Sequence, residues 1–219
     1  IYCDNRKVYG CIKITRILRD DGYPKLSVNR VSRLMKQLGI RSVTIRKFKN
    51  YRNKQNEHSE LKNLVNQNFS AQKPNQIWLS DITYIHTVKN GWTYLASVLD
   101  VCTRKIVGYS YGRNMDRSLV ISALTKAWQN QNYPNNVILH SDRGSQYTSS
   151  EYIAAAERMG FRLSYSKKGC PFDNAPMESF HSVLKKEEVY LKHYSSFHEA
   201  NIRLFDYING FYNRYRIHS

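Results

Sequence analysis

Apolar and polar residues alternate along the second part of the chain in two distinct patterns. Short apolar runs rich in β-branched residues predict strands, and apolar residues at helical spacing predict helices. The strands are expected at 77–87, 92–101, 105–112, 137–141 and 161–165, with an Asn90-Gly91 hairpin between the first two. The helices are expected at 116–130, 149–159, 176–190 and 197–214, with a loop over 166–176.

This order of elements predicts the fold of residues 76–219. Three antiparallel strands, a helix, a strand, a helix, a strand and further helices form the order of the ribonuclease-H-like α/β fold. We therefore expect a mixed five-stranded sheet flanked by helices. Asp81 lies midway along the first strand, Asp142 closes the fourth, and Glu178 opens the helix after the fifth. Those three points converge at one edge of the sheet in that fold.

Residues 1–45 predict a small all-α segment. Helical spacing over 7–20 is followed by a break at 21–24, and a second helix begins at Ser27 or Asn29 and ends near Gly39. The apolar set of the second helix is Val28, Val31, Leu34, Met35 and Leu38. Two short helices around a tight turn are typical of a helix-turn-helix, in which Arg30 and Arg33 would contact DNA. A hairpin that serves only for packing is the alternative.

The charge distribution favours a polyanionic partner. The chain has 219 residues and a net charge of +17, and residues 1–70 hold 16 Lys and Arg against 5 Asp and Glu. Residues 46–75 are polar and basic, so we interpret them as a linker that lies along a phosphate backbone. A basic surface that only maintains solubility is the alternative.

Several classes of protein are excluded by the composition. No apolar run approaches the ~18 residues of a membrane span, and the start does not resemble a signal peptide. The four cysteines form no Cys-x-x-Cys pair, so we expect reduced thiols in a cytoplasmic protein and no structural zinc. Because the first residue is Ile, we expect the chain to be part of a longer protein.

The three acids together predict a metal site. A carboxylate in an apolar strand is costly to bury unless it is paired or binds a cation. Mg²⁺ prefers carboxylate oxygens, water and phosphate, and two such ions about 4 Å apart support phosphodiester cleavage and strand transfer. Asp81 would bridge both ions, and Asp142 and Glu178 would each complete one. Taken singly, the acids have other interpretations: an exposed strand residue, a turn residue and a first-turn helix acid.

The residues around these acids resemble the catalytic core of DDE transposases and retroviral-type integrases. The interval of 35 residues between Asp142 and Glu178 is diagnostic of that superfamily. Within it, the chain most closely resembles the OrfB-type transposases of the insertion-sequence-three family. The resemblance is carried by Trp78-x-x-Asp81-Ile82-Thr83-Tyr84, by the run from His140 to Tyr147, by Asn174-Ala175-x-x-Glu178-Ser179-Phe180, and at the ends by Val28-Asn29-x-x-x-Arg33-Leu34-Met35 and Tyr212-Asn213-x-x-Arg216-x-His218-Ser219.

That resemblance implies a function and a set of partners. Asp81, Asp142 and Glu178 would be the catalytic triad and the ligands of two Mg²⁺ ions, with Mn²⁺ as a substitute. One transposon end would be nicked, and its 3′-hydroxyl would attack the same strand beside the other end to give a branched product. The expected partners are double-stranded DNA and at least one further copy of the chain. We expect the protein to be bacterial and associated with the nucleoid.

Further residues are predicted to contact DNA. Lys185 and His181 share the helix face of Glu178, and Lys185 is the strongest candidate for binding transposon-end phosphates. Arg143 and Gln146 lie in the loop beside Asp142, and Lys167 and Lys168 lie in the loop before Glu178. For Lys185, Lys167 and Lys168 the alternative is a solvated side chain, and for His181 it is a partly buried structural histidine. The aromatic residues Tyr207, Phe211, Tyr212 and Tyr215 are expected to pack rather than to stack on bases.

Two other functions remain open at this point. A ribonuclease-H-like nuclease would hydrolyse DNA without joining strands, and a transposase-derived DNA-binding protein would use the core only as a scaffold. The duplex-binding pattern of the first 45 residues disfavours the nuclease, and three intact acids disfavour the scaffold.

Overall fold

A mixed five-stranded sheet, in the order β3-β2-β1-β4-β5, forms the centre of the molecule. The computed structural model describes residues 1–44, 61–167 and 170–218. The strands are β1 (Ile77–Thr87), β2 (Gly91–Asp100), β3 (Ile106–Gly112), β4 (Ile138–Ser141) and β5 (Arg162–Tyr165). Each strand begins and ends within one residue of its predicted position, and the ribonuclease-H-like topology is confirmed.

Helices cover both faces of this sheet. They are α1 (Cys11–Asp20), α2 (Val28–Gln37), α3 (Arg117–Asn130), α4 (Ser150–Arg158), α5 (Ala175–Glu187) and α6 (Phe197–Phe205). Residues from α3 and α4 form one hydrophobic cluster with the sheet, and residues from α1, α2, α5 and α6 form the other. The core therefore consists of two apolar layers separated by the strands.

The strand register places the candidate acids. β1 and β2 are antiparallel strands joined by a turn that ends at Gly91. The φ of Gly91 is +65°, in the left-handed region that glycine adopts readily. β1 and β4 are parallel, with Ser80 opposite Ser141. Asp81 and Asp142 follow these two residues, at the point where β1 and β4 cease to pair, while β1 continues paired with β2.

Several helices begin or end at residues other than those predicted, because turns, 3₁₀ turns or a π-helical turn flank them. α1 begins at Cys11 rather than at residue 7, because the preceding residues form turns in which Arg6 and Lys7 have positive φ. A 3₁₀ turn, Pro171–Asn174, lies in the predicted loop before α5, and another, Val189–Leu191, follows that helix. The last helix continues from α6 as a π-helical turn, Asp206–Tyr212.

The two helices of the amino-terminal segment pack through a narrower face than the sequence predicts. Ser27 caps α2 by accepting a hydrogen bond from the backbone N–H of Arg30, as expected. Val31 and Met35 are buried, but Leu34 is 45% exposed and Leu38 is 70% exposed. The apolar set of α2 is therefore buried only in part, at Val31 and Met35.

The amino-terminal segment is held against the end of the chain. The Tyr9 hydroxyl donates to the carbonyl of Tyr215 and accepts from the backbone N–H of Ile217. Arg6 forms an ion pair with Glu188 at 3.2 Å. Tyr207, Phe211 and Tyr212 are buried, as expected for packing residues, whereas Tyr215 is largely exposed.

The described part of the predicted linker is hydrogen-bonded to β5 and to the segment before α5. Residues 61–66 are not helical, and the backbone N–H of Leu64 donates to Ser164 on β5. Asn63 and Gln67 donate to the Asp173 carboxylate at 3.0 and 2.7 Å. Residues 45–60 lie outside the described part of the chain, so the predicted domain boundaries remain predictions.

Neither membrane-spanning helices nor bonded thiols occur among the described residues. None of their helices is long and apolar enough to cross a bilayer. The thiols of Cys3, Cys11, Cys102 and Cys170 are free.

Gly108 on β3 is expected to tolerate no side chain. A Cβ atom there would lie 2.4 Å from the backbone nitrogen of Ala127 and 2.6 Å from the carbonyl oxygen of Ala123, both on α3. Gly108→Ala should therefore lower the free energy of unfolding by roughly 1–3 kcal/mol, as overpacking does, measured by urea denaturation. Gly210→Ala is the control, since a Cβ at Gly210 meets nothing within 4 Å. Equal stabilities for the two variants would contradict the close packing of β3 on α3.

Candidate active site

Asp81 and Asp142 form an acidic pair at the point where β1 and β4 separate. They follow Ser80 and Ser141, the last residues that pair β1 with β4. Although Asp142 reaches solvent, crowding by protein atoms raises the pKa of its carboxyl, and the negative charge of Asp81 raises this pKa further. The N–H of Gly144 opposes these effects. Such electrostatic coupling indicates that the two carboxyls lie close together.

The turn after β4 orients the Asp142 carboxylate. Its Oδ1 atom accepts a hydrogen bond from the backbone N–H of Gly144 at 2.9 Å. A Cβ atom at Gly144 would lie 3.0 Å from this Oδ1 and 3.1 Å from the side-chain oxygen of Gln146. Glycine therefore allows the turn to approach the carboxylate closely.

Glu178 lies in the first turn of α5, the helix that approaches Asp81. Asn174, directly before α5, donates from Nδ2 to the carbonyl oxygen of Ser80 at 3.4 Å. One turn after Glu178, the Nδ1 atom of His181 lies 3.5 Å from Oδ2 of Asp81. The start of α5 is thus attached to β1 on both sides of the Glu178 position. Glu178 itself is half-buried.

Polar atoms without protein partners lie beside the acids. His181 is 8% exposed, and its buried Nε2 atom has no hydrogen-bond partner. The Oδ1 atom of Asn174 is likewise buried and unsatisfied. Because buried polar groups normally have partners, these two atoms point to a polar ligand or to water at the site.

The hydroxyl of Tyr147 lies beneath the acidic pair. The hydroxyl of Ser80 donates to it at 3.2 Å. Burial raises the pKa of Tyr147, and the charges of Asp81 and Asp142 raise it further. Tyr147 therefore stays neutral and supports β1 at Ser80.

The carboxylate oxygens of Asp81 and Asp142 are ligands of the kind that a hard divalent cation prefers. Two neighbouring carboxylates repel each other, and a bound cation would remove that repulsion. Among the described residues, however, no group of three or more His, Cys, Asp and Glu side chains is arranged to hold a metal ion. The structure brings Asp81 and Asp142 together and places Glu178 on the adjoining helix. A site completed by all three acids remains a prediction.

The predicted DNA-contact residues occupy different environments. Arg30, Arg33 and Lys167 are exposed, and Lys185 is half-buried at the edge of a cleft. Lys168 lies outside the described residues.

Two of those residues in the loop beside Asp142 also bind protein atoms. Arg143 donates to the carbonyls of Ser166 and Leu61, and Gln146 donates to the carbonyl of Met115. These hydrogen bonds give Arg143 a structural role in joining residue 61 to the loop after β5. DNA contact by any of the eight predicted residues remains a prediction.

Sequence reasoning gave no role to Asn174 and Asp173. Asp173 is 1% exposed and accepts hydrogen bonds from Asn63, Gln67 and the backbone N–H of Lys167. It therefore fixes the segment that leads into α5. Its buried position depends on residues more than 100 positions away, so no local pattern reveals it. Asn174 had a local signal, because it begins the Asn-Ala-x-x-Glu motif.

Comparison with known families and proteins gives consistent matches along the chain. Residues 71–171 and 178–219 match families described as integrase core domains, and residues 1–48 match a family described as an HTH-like domain. The chain is 39% identical to the transposase for insertion sequence element IS904 of Lactococcus lactis, over 100% of this chain and 86% of that protein. It is 39% identical to transposase InsF for insertion sequence IS3A of Escherichia coli, over 98% of this chain and 74% of that protein.

A further relative and a solved structure agree with these matches. The chain is 40% identical to an uncharacterized 31 kDa protein of insertion element IS600 of Shigella sonnei, over 98% of this chain and 78% of that protein. A chain of the simian T-cell lymphotropic virus intasome, solved with a PP2A regulatory subunit, has a TM-score of 0.56 at 16% identity, covering 96% of this chain and 67% of that chain. This second likeness concerns the fold alone.

Proposed function

Because the chain belongs to the IS3-family transposases of bacterial insertion sequences, we propose that it cuts and joins DNA strands with Asp81, Asp142 and Glu178 as its catalytic acids. Membership rests on relatives about 40% identical over nearly the whole chain and on the integrase core match. The chain is therefore a transposase. The assignment of its catalytic and DNA-binding residues is our proposal.

The observation that carries this proposal is the position of the acidic pair. Asp81 and Asp142 follow directly on paired residues of adjacent parallel strands, and the charge of Asp81 raises the pKa of Asp142. Glu178 lies one turn before His181 on α5, and the distance of 3.5 Å between His181 and Asp81 supports Glu178 as the third acid. Clustered acids oppose DNA binding unless a cation accompanies them, so a catalytic use explains a charge arrangement that binding alone does not.

The acids would hold the metal ions, and neighbouring residues would hold the acids. Asp81 would bind two Mg²⁺ ions, or Mn²⁺ in their place, and Asp142 and Glu178 would each bind one. When bound, such ions activate a water or hydroxyl nucleophile and stabilise charge on the transferring phosphate. The N–H of Gly144 orients Asp142, and His181 lies against Asp81. The side-chain amide of Asn174 donates to the carbonyl of Ser80, the residue before Asp81.

The chemistry needs no nucleophile from the protein. Water or the 3′-hydroxyl of a DNA end would attack the phosphorus, and the bond to the departing 3′-oxygen would break. The exposed Arg30 and Arg33 on α2 would bind the duplex, and Lys185 would bind phosphates near the reacting one. Two transposon ends require two sites, so at least a dimer would form the reacting complex.

Strand joining by the protein is the direct test. Labelled insertion-sequence ends are incubated with the protein and Mg²⁺, and the products are separated on denaturing gels. We expect joined strands that disappear when EDTA removes the metal. Hydrolysis without joining would instead indicate a nuclease, and binding without any cleavage would indicate a DNA-binding protein. Either result would overturn the proposed activity of this chain.

A further inference from the structure

A cleft of about 720 Å³ lies between the β1–β2 hairpin and the segment that follows α5. One wall carries aromatic rings from the two strands, and the other carries Lys185 and residues 189, 190 and 192–194. We call this feature the aromatic cleft and define it by the residues Tyr84, His86, Trp92, Tyr94, Lys185 and Lys192. None of these residues has a role in holding the catalytic acids.

The rings of the aromatic cleft are arranged as cross-strand pairs. Tyr84 lies opposite Tyr94 and His86 lies opposite Trp92 in the β1–β2 register. The ring centroids in these pairs are 5.4 and 5.2 Å apart, with the planes inclined by 66° and 77°. Such pairs stabilise a hairpin. Hairpin stability alone does not require large rings at the surface, since Trp92 is 61% exposed and Tyr84 is 47% exposed.

The opposite wall of the cleft is basic. Lys185, Lys192 and His193 contribute to it, and no Asp or Glu is among the lining residues. Of the acids nearest along the chain, Glu187 forms a buried ion pair with Arg216, and Glu188 is buried, pairs with Arg6 and also interacts with Lys192. The charge therefore complements a phosphate backbone, and the exposed rings offer flat apolar faces beside it.

The position of the cleft relates it to the catalytic acids. Tyr84 is three residues beyond Asp81 on β1, which corresponds to roughly 10 Å along a strand. Lys185 is seven residues beyond Glu178 on α5, which also corresponds to roughly 10 Å along a helix. Side chains alternate along a strand, so Tyr84 leaves the opposite face of β1 from Asp81, and the cleft adjoins the acids along β1 and α5 rather than sharing their face of the sheet.

We propose that the aromatic cleft binds unpaired bases of a single-stranded DNA segment that adjoins the reacting phosphate. The bases would stack on Trp92 and Tyr84, and Lys185 and Lys192 would bind the backbone. Bases inside a duplex already stack on each other, whereas unpaired bases offer free faces to aromatic side chains. This proposal rests on the proposed function for the location of the reacting phosphate.

The test compares two DNA ends that differ only in pairing. One is a blunt duplex, and the other has a three-nucleotide single-stranded extension that carries 2-aminopurine. We expect the protein to bind the extended end about ten-fold more tightly, a difference of ~1.4 kcal/mol that one stacked base can supply, and to quench the 2-aminopurine emission. Trp92→Leu keeps an apolar side chain but removes the ring, so it should lose this preference and the quenching.

Two control variants make the outcome specific. Trp92→Phe keeps an aromatic face and should retain most of the preference. Tyr133→Leu removes a ring that is 56% exposed and packs against Trp128 on α3, outside the cleft, so it should behave like the unmodified protein. Circular dichroism checks that each variant is folded.

Equal binding of the two ends by the unmodified protein would overturn the proposal, as would an unchanged preference in Trp92→Leu. These measurements need no catalysis. A protein that prefers the extended end but joins no strands would refute the proposed function and leave the cleft's ligand in place. A protein that joins strands but shows no preference would refute the cleft alone.

Discussion

Asp81→Asn is expected to reduce strand joining by at least about 1,000-fold while DNA binding is retained. The replacement keeps the size of the side chain but removes the charge that a divalent cation requires. Loss of a metal that stabilises the transition state costs several kcal/mol, and about 4 kcal/mol corresponds to this factor in rate. The rate is measured with labelled ends in Mg²⁺, and the affinity is measured separately by fluorescence anisotropy.

The affinity measurement distinguishes a catalytic acid from a structural one. Asp81 repels the phosphate backbone when no cation is present, so Asp81→Asn should bind DNA in EDTA at least as tightly as the unmodified protein. Asp206→Asn is the matched control, because Asp206 is exposed on the π-helical turn, outside the candidate site. Strand joining by Asp81→Asn at more than a tenth of the normal rate would exclude Asp81 from the chemistry.

The strands were predictable because their signals are local. Apolar alternation in β1 and the Asn90-Gly91 turn depend on neighbouring residues, and the structure gives β1 the predicted bounds. The adjacency of Asp81 and Asp142 followed from the order of strands in the sheet. The exposure of Leu34 and Leu38 was not predictable, for the opposite reason. Their exposure depends on how much of α2 is covered by α1, and helical spacing does not contain that information.

The environment of the site depended on contacts between distant parts of the chain. Asp173 binds Asn63 and Gln67, and Arg143 binds the carbonyl of Leu61. Through these hydrogen bonds, a segment whose sequence predicts a basic linker is attached to the loops around the acids. Charge and composition identify such residues as solvated or DNA-binding. Their partners become evident only when the chain is folded.

The closing helices contain a buried ion pair that connects α5 to the end of the chain. Arg216 contacts both carboxylate oxygens of Glu187, each at 3.0 Å, and the Tyr207 hydroxyl donates to the same carboxylate at 2.7 Å. The two side chains are 10% and 7% exposed. Since α5 also carries Glu178, this pair fixes the helix that presents the third candidate acid.

Arg216→Met is therefore expected to lower the free energy of unfolding by about 3–5 kcal/mol, because it leaves the Glu187 charge buried without its partner. Urea denaturation measures the loss. The double variant Arg216→Met with Glu187→Leu should recover much of it, since no charge then remains buried. Arg117→Met provides the comparison, because the Arg117–Glu151 pair is 60% and 50% exposed and such pairs contribute about 0–1 kcal/mol. A loss below ~1 kcal/mol in Arg216→Met would show that α5 does not depend on this ion pair for its position.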